Sequence, residues 1–111
     1  MSSRKNNRSV GPFGDSGLLI LMSLATGPKH GYALIEDIHE IAGISMGTAT
    51  LYSALNRLEN RGLVEALPEN DRRRPFRITA AGEGVMKEQL ERLEKVTAAG
   101  RARFLLPLQY G

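Results

Sequence analysis

Four arginines occupy six positions in Arg72-Arg73-Arg74-Pro75-Phe76-Arg77, just after Asn70-Asp71. A guanidinium is always charged and presents a planar fork of N–H donors that matches phosphate oxygens. Such a run is either a solvated loop or a prong aimed at a polyanion. A second set of groups lies upstream in "TATLYSALNR", where Thr48, Thr50, Ser53, Asn56 and Arg57 carry short hydroxyl and amide groups and one guanidinium. Donors and acceptors of that kind reach base edges when they ride on a helix that lies close in a groove. Asn can pair with adenine and Arg with guanine or a phosphate. An exposed helix serving only solubility more often shows Glu and Lys.

Other chemistry finds little support. The chain has no cysteine, hence no disulfide framework and no thiolate metal site. Asp37, His39 and Glu40 sit at nearly consecutive helical positions that point in different directions, without HExxH spacing, so no metal is expected. No nucleophile elbow, phosphate-binding loop or dinucleotide fingerprint occurs, and Gly82-Glu83-Gly84 is a helix entry. The reading is of a non-enzyme without cofactor.

These groups need elements to position them. The 111 residues suit one domain with a modest core, a size that often gains stability by oligomerising. Charged residues are 24% and hydrophobic residues 41%, so the chain should fold; its net charge of +3 leans weakly towards an anionic partner. Residues 1–14, with Arg4, Lys5 and Arg8 and no acid in the first ten positions, read as a flexible basic arm. Arm and following apolar run imitate a secretion signal, but Gly14-Asp15-Ser16-Gly17 separates them, and the run is far short of the ~20 residues of a membrane span. A cytoplasmic protein with no membrane partner is expected.

Leu18–Ala25 reads as a buried first helix, capped by Asp15 or Ser16 and stopped by Gly27-Pro28. A second helix starts near Lys29, with Leu34, Ile35, Ile38, Ile41 and Ala42 on one face and Gly43 ending it. The third has Ser45 as a natural N-cap, an inner stripe of Leu51, Ala54, Leu55 and Leu58, an outer stripe of Thr50, Ser53, Asn56, Arg57 and Asn60, and Gly62 at its end. Leu63–Leu67 and Phe76–Thr79 are strand-like and flank a turn-rich stretch, which predicts a hairpin with Pro75 at a strand entrance. Thr79 caps a long last helix through roughly Arg103. Its seam of Met86, Leu90, Leu93 and Val96 is most simply covered by a second copy, and Glu83–Lys87, Glu88–Arg92 and Glu91–Lys95 are helical charge pairs. The fold class is thus mainly α: a winged helix-turn-helix of three helices plus a β-hairpin wing, with a long C-terminal dimerisation helix. Residues 15–79 would form the winged-helix unit and 80–111 the dimerisation helix and tail. The apolar tail, Phe104, Leu105, Leu106, Leu108 and Tyr110, is expected to fold back onto the dimer.

The chain also resembles the PadR-type transcriptional regulators. Gly27-Pro28-Lys29-His30-Gly31-Tyr32 matches that family's "GP-x-HGY" opening of the second helix. Thr50-Leu51-Tyr52, Leu55, Arg57-Leu58-Glu59 and Gly62-Leu63-Val64 match its reading helix, and Arg72-Arg73-Arg74-Pro75-Phe76-Arg77-Ile78-Thr79 with Gly82 its wing. Two extra residues separate Gly47 from Leu51-Tyr52, and Pro75-Phe76 replace the wing's tyrosine pair. Some members bind flat aromatic compounds with a tryptophan between the long helices; this chain has none, so that sandwich does not carry over. The single C-terminal helix resembles the compact branch of the family.

The expectation is a homodimeric repressor on double-stranded DNA at a pseudo-palindromic operator. Lys29, Tyr32, Ser45, Thr48, Thr50, Tyr52, Ser53, Asn56, Arg57, Arg72, Arg73 and Arg74 are the candidate DNA contacts. The resemblance favours phosphate contact by the Tyr52 hydroxyl. The Tyr32 ring is expected against the first helix, Lys29 at a phosphate by the helix start, and His30 in a structural role. Met86, Leu90, Leu93, Val96 and Phe104 are the candidate dimer contacts, and a small hydrophobic effector acting through the long helices is a further candidate partner. The alternative is a winged-helix protein-interaction module whose basic wing only keeps it soluble.

Overall fold

A computed structural model describes residues 16–105; the basic arm, Asp15 and tail residues 106–111 lie outside the described residues. The element order is α1 (Ser16–Leu24), α2 (Gly31–Ala42), α3 (Thr48–Asn60), β1 (Val64–Ala66), β2 (Phe76–Ile78) and α4 (Ala80–Leu105). This is the mainly helical winged arrangement read from the sequence. α1 is apolar almost all round because α2, α3, α4 and β2 all pack on it. Ile20, Leu21 and Leu24 meet Leu34 and Ile38 of α2 and the α3 stripe of Leu51, Ala54, Leu55 and Leu58.

Both helix ends marked by glycine form as expected. Gly43 closes α2 in the left-handed conformation, φ 69°, and donates its N–H to His39 O at 2.7 Å. Gly62, φ 76°, donates to Glu59 O, and Leu63 N–H reaches back to Leu58 O, both at 2.9 Å. That paired closure is a Schellman motif, and it turns the chain directly into β1.

Two helix starts differ from expectation. Lys29 is not helical: its backbone exchanges hydrogen bonds with Phe76, N to O at 3.1 Å and O to N at 2.9 Å, so α2 begins at Gly31. The cap of α3 is Gly47, not Ser45; burial of Met46 in the core holds residues 44–47 out of the helix. Ile41, 39% exposed, and Ala42 also leave the expected inner face, because the last turn of α2 runs beyond its packing partners. The three charge pairs of α4 do not close among the described residues, where the ion pairs are Lys29–Asp37 and Arg77–Glu65. Exposed pairs of this kind gain too little to overcome side-chain entropy.

β1 and β2 run antiparallel with Val64 opposite Ile78, Glu65 opposite Arg77 and Ala66 opposite Phe76. Phe76 turns into the core, Ile78 packs against it, and Arg77 points outward to donate to Glu65. Pro75 stands at the strand entrance, where its carbonyl accepts from Leu67 N–H at 2.8 Å.

Thr79 joins this hairpin to α4. Its Oγ1 accepts from Gly82 N–H at 3.0 Å, capping the helix, and donates to Gly62 O at 2.7 Å. Its own N–H donates to Leu63 O at 3.0 Å. Gly82 is the one buried residue of α4, and a Cβ there would stand 2.1 Å from Leu63 O. Two helix positions on, a Cβ at Gly84 would meet nothing within 4 Å. Gly82→Ala should therefore destabilise by about 1–3 kcal/mol, as overpacking against backbone does. Gly84→Ala should stabilise by roughly 0.5–1 kcal/mol through helix propensity. Urea unfolding of the two variants checks the opposite signs.

Candidate nucleic-acid interface

The inner stripe of α3 fixes what the helix shows to solvent. At 100° per residue, Ala49, Ser53, Asn56 and Asn60 lie opposite Leu51, Ala54, Leu55 and Leu58, and all four are exposed. Arg57 is exposed beside them, and Thr48, on the Leu55 side, is exposed as the first residue of the helix. Thr50 is exposed on one flank, near Ser16 and Leu19, and Ser45 precedes the helix at the same end. Tyr52 occupies the opposite flank. Ala49 is absent from the sequence-derived set because alanine carries no hydrogen-bonding group, yet its small side chain lets the backbone come close to a partner.

Tyr52 connects the exposed face of α3 to the wing. Its ring meets Phe76 edge-on, with centroids 6.5 Å apart and planes at 61°, and lies across the backbone of Gly31. A Cβ on Gly31 would be 2.3 Å from the Tyr52 hydroxyl and 2.9 Å from Cζ, so the glycine between His30 and Tyr32 is the seat of a ring from another helix. Tyr32 is 68% exposed and does not pack against α1 as expected: the second position of α2 faces outward.

The wing tip is a two-residue turn. Asn70 and Arg73 exchange backbone hydrogen bonds at 2.7 and 3.0 Å, and Asp71 and Arg72 between them have φ of 60° and 66°. Two successive left-handed residues suit a tight hairpin, and Asp tolerates that region better than Arg. The three arginines then diverge. Arg72 makes no hydrogen bond or ion pair among the described residues, Arg74 Nη1 donates to Leu67 O at 3.2 Å, and Arg73 Nη1 lies 3.1 Å from His30 Nε2. Together with His30, Gly31, Tyr32 and Tyr52 they line an open cleft of ≈ 280 Å³. Its lining holds three guanidiniums, two phenols and no carboxylate.

Lys29 has a different placement. Its ammonium donates to Ser23 O and, at 2.8 Å, to Thr26 Oγ1, and it lies 4.0 Å from Asp37 Oδ2. Asp37 in turn accepts from the buried Ser23 hydroxyl at 2.6 Å. The lysine thus ties α1 to α2, a role decided by residues distant in sequence. His30 is the converse: its neighbour across the cleft is 43 positions away, so nothing local marks it.

On α4, Met86 packs with Val85 against the core, and Leu90 and Leu93 are half-buried. Val96 is 48% and Phe104 88% exposed. No described helix is long and apolar enough to cross a membrane.

The profile of the transcriptional regulator PadR-like family matches residues 20–88, which span α1 through the first turns of α4. The chain belongs to this family. PadR-like proteins are transcriptional regulators, not enzymes. A PadR family transcriptional regulator from Eggerthella lenta is 30% identical, with a TM-score of 0.65 over 84% of this chain and 86% of that one. A PadR-like regulator from Bacillus cereus shares the fold more closely, TM-score 0.75, at 17% identity over 86% of this chain and 96% of that one. An uncharacterized 37.1 kDa protein in a transposon of Streptomyces fradiae is 39% identical over 83 residues. The chain spans 24% of that relative's length, so the match covers 75% of this chain but a minor part of the larger protein.

The Gly31–Tyr52 contact can be measured as a coupling. Gly31→Ala should cost about 1–3 kcal/mol with Tyr52 present, because the ring must leave its seat. In a Tyr52→Ala background the same change should cost nothing, or stabilise slightly through helix propensity. Denaturant unfolding of the four proteins closes the cycle, and additive effects would show that ring and glycine do not touch.

Proposed function

We propose that this PadR-like regulator is a repressor that binds double-stranded DNA as a homodimer, in the cytoplasm, at a pseudo-palindromic operator. The observation that carries the reading is the joint exposure of the short polar face of α3 and the cationic wing cleft, with Tyr52 between them. A face of Ala49, Ser53 and Asn56, flanked by Thr48, Thr50 and Arg57, suits entry into a major groove. Arg72, Arg73 and Arg74, the Tyr32 and Tyr52 hydroxyls and the basic residues of the arm would hold phosphates alongside. Ser45 would lie at the edge of this surface. Lys29 acts indirectly, through the wing that its backbone anchors.

The exposed face of α4 supports the dimer. At 26 residues it is about 39 Å long, yet only Gly82 is buried against its own domain. Met86, Leu90 and Leu93 continue into exposed Val96 and Phe104, a face that a second α4 would cover. Residues 15–79 are then the DNA-binding unit and 80–111 the dimerising one. A small apolar effector bound among the last turns, near Phe104, would relieve repression by changing the angle between the two helices.

Duplexes selected from a random pool supply the test. The triple alanine variant of Arg72, Arg73 and Arg74 should weaken binding on all sequences. It should also lower the slope of log affinity against log salt by about 0.9 for each phosphate no longer neutralised. Asn56→Ala and Arg57→Ala should instead relax sequence preference, by roughly 1–3 kcal/mol at the base each one reads. An unchanged salt slope in the triple variant would remove the wing from the interface. Val96→Asp lies far enough from the core to leave the fold intact and should yield monomers in sedimentation. A dimer that persists would place the interface elsewhere.

A further inference from the structure

The cleft contains one imidazole, that of His30, and its hydrogen-bond partner is a wing arginine. Arg73 cannot accept a hydrogen bond, so His30 Nε2, 3.1 Å from Arg73 Nη1, is the acceptor and its lone pair is free of a proton. No carboxylate lines the cleft to stabilise a protonated ring; the groups around it are Arg72, Arg73 and Arg74 from the wing, Tyr32 from α2 and Tyr52 from α3. The adjacent Lys29 directs its ammonium away, towards Ser23, Thr26 and Asp37.

Resting on the DNA reading above, we propose that His30 is itself a phosphate ligand and takes up a proton when duplex binds. A phosphate in the cleft would draw the Arg73 guanidinium to its own oxygens, leaving Nε2 without its donor. The nitrogen then accepts a proton from solvent and donates it in a charge-assisted hydrogen bond to the phosphate. Uptake is at most one proton per occupied cleft, and it reverses when the duplex leaves. The complex therefore holds more protons than the free protein, so affinity rises as pH falls through the histidine range and the gain disappears as pH rises above it. The wing arginines supply charge at every pH; His30 makes the same site responsive to acid.

The chain's two histidines allow a clean experiment, because His39 is exposed on α2 and lines a different groove. Dissociation constants for one mixed-sequence DNA duplex are measured at constant ionic strength between about pH 5 and pH 8. The intact protein should bind roughly three- to tenfold more tightly at the acid end. H30Q keeps an acceptor for Arg73 but does not titrate, so it should match the intact protein at the alkaline end and lose the acid gain. H39Q should keep the gain. The proposal is overturned by a flat profile in the intact protein, by an H30Q profile parallel to it, or by loss of the gain in H39Q. Absence of duplex binding at every pH and at low salt would sink the DNA reading itself, and this inference with it.

Discussion

The two backbone hydrogen bonds between Lys29 and Phe76 hold the candidate interface together. A two-stranded hairpin alone is at best marginally stable in water. Pairing Phe76 with Lys29 adds a one-residue third strand and fastens the wing to the segment that opens α2. With the backbone fixed there, the Phe76 ring turns into the core and offers its edge to Tyr52. Tyr52 then needs the bare backbone of Gly31, and His30 comes within reach of Arg73. The Lys29 ammonium fastens the same residue from the other side, at Ser23, Thr26 and Asp37. One residue thus ties α1, α2 and the wing, which is why its charge is directed inward.

Charge is arranged with similar economy. Of the four arginines in the opening run, Arg77 is neutralised across the hairpin by Glu65, leaving three at the tip. The acids of α2 gather on a different side, where Glu36, Asp37 and Glu40 line a groove of ≈ 690 Å³ with Tyr32 and Met46. That groove is larger than the cationic cleft, but its charge is wrong for a phosphate. Tyr32 borders both, and α3 presents a nearly uncharged outer face beside the cationic cleft through Tyr52. A net charge of only +3 is therefore a poor description of what a polyanion would meet, since the field at the wing is set by local excess and falls within about a Debye length.

How far the sequence could be read depended on how local each determinant is. The α3 stripe, the glycines at 43 and 62, the Thr79 cap and the alternation of Phe76, Arg77 and Ile78 are decided within a few residues, and all were legible. Ser45 misled because a good capping side chain does not outweigh burial of Met46 one position later. Lys29 misled because its position suits a helix start beside a phosphate; its strand-like pairing with Phe76 and its ammonium's partners Ser23, Thr26 and Asp37 lie outside any local pattern. His30 and Gly31 drew their meaning from Arg73 and Tyr52, 43 and 21 positions away, and no local pattern could show it. The motif around them carried the family resemblance without its physical reason; the seat for Tyr52 supplies that for the glycine.

The joint at Thr79 and Gly82 bears on how a regulator of this shape could be switched. Thr79 bonds to both Gly62 and Leu63, and Gly82 lies against the Leu63 carbonyl too closely for any side chain. The first turn of α4 is therefore locked to the residues that close α3, with no flexible linker between them. If two copies pair through α4, a change in the angle between those helices must rotate each α3 as a rigid body. Half-site spacing would change while the local structure of each winged unit stayed the same. The small face of Gly82 makes that joint stiff: it removes the slack a longer side chain would introduce between α4 and the residues that close α3.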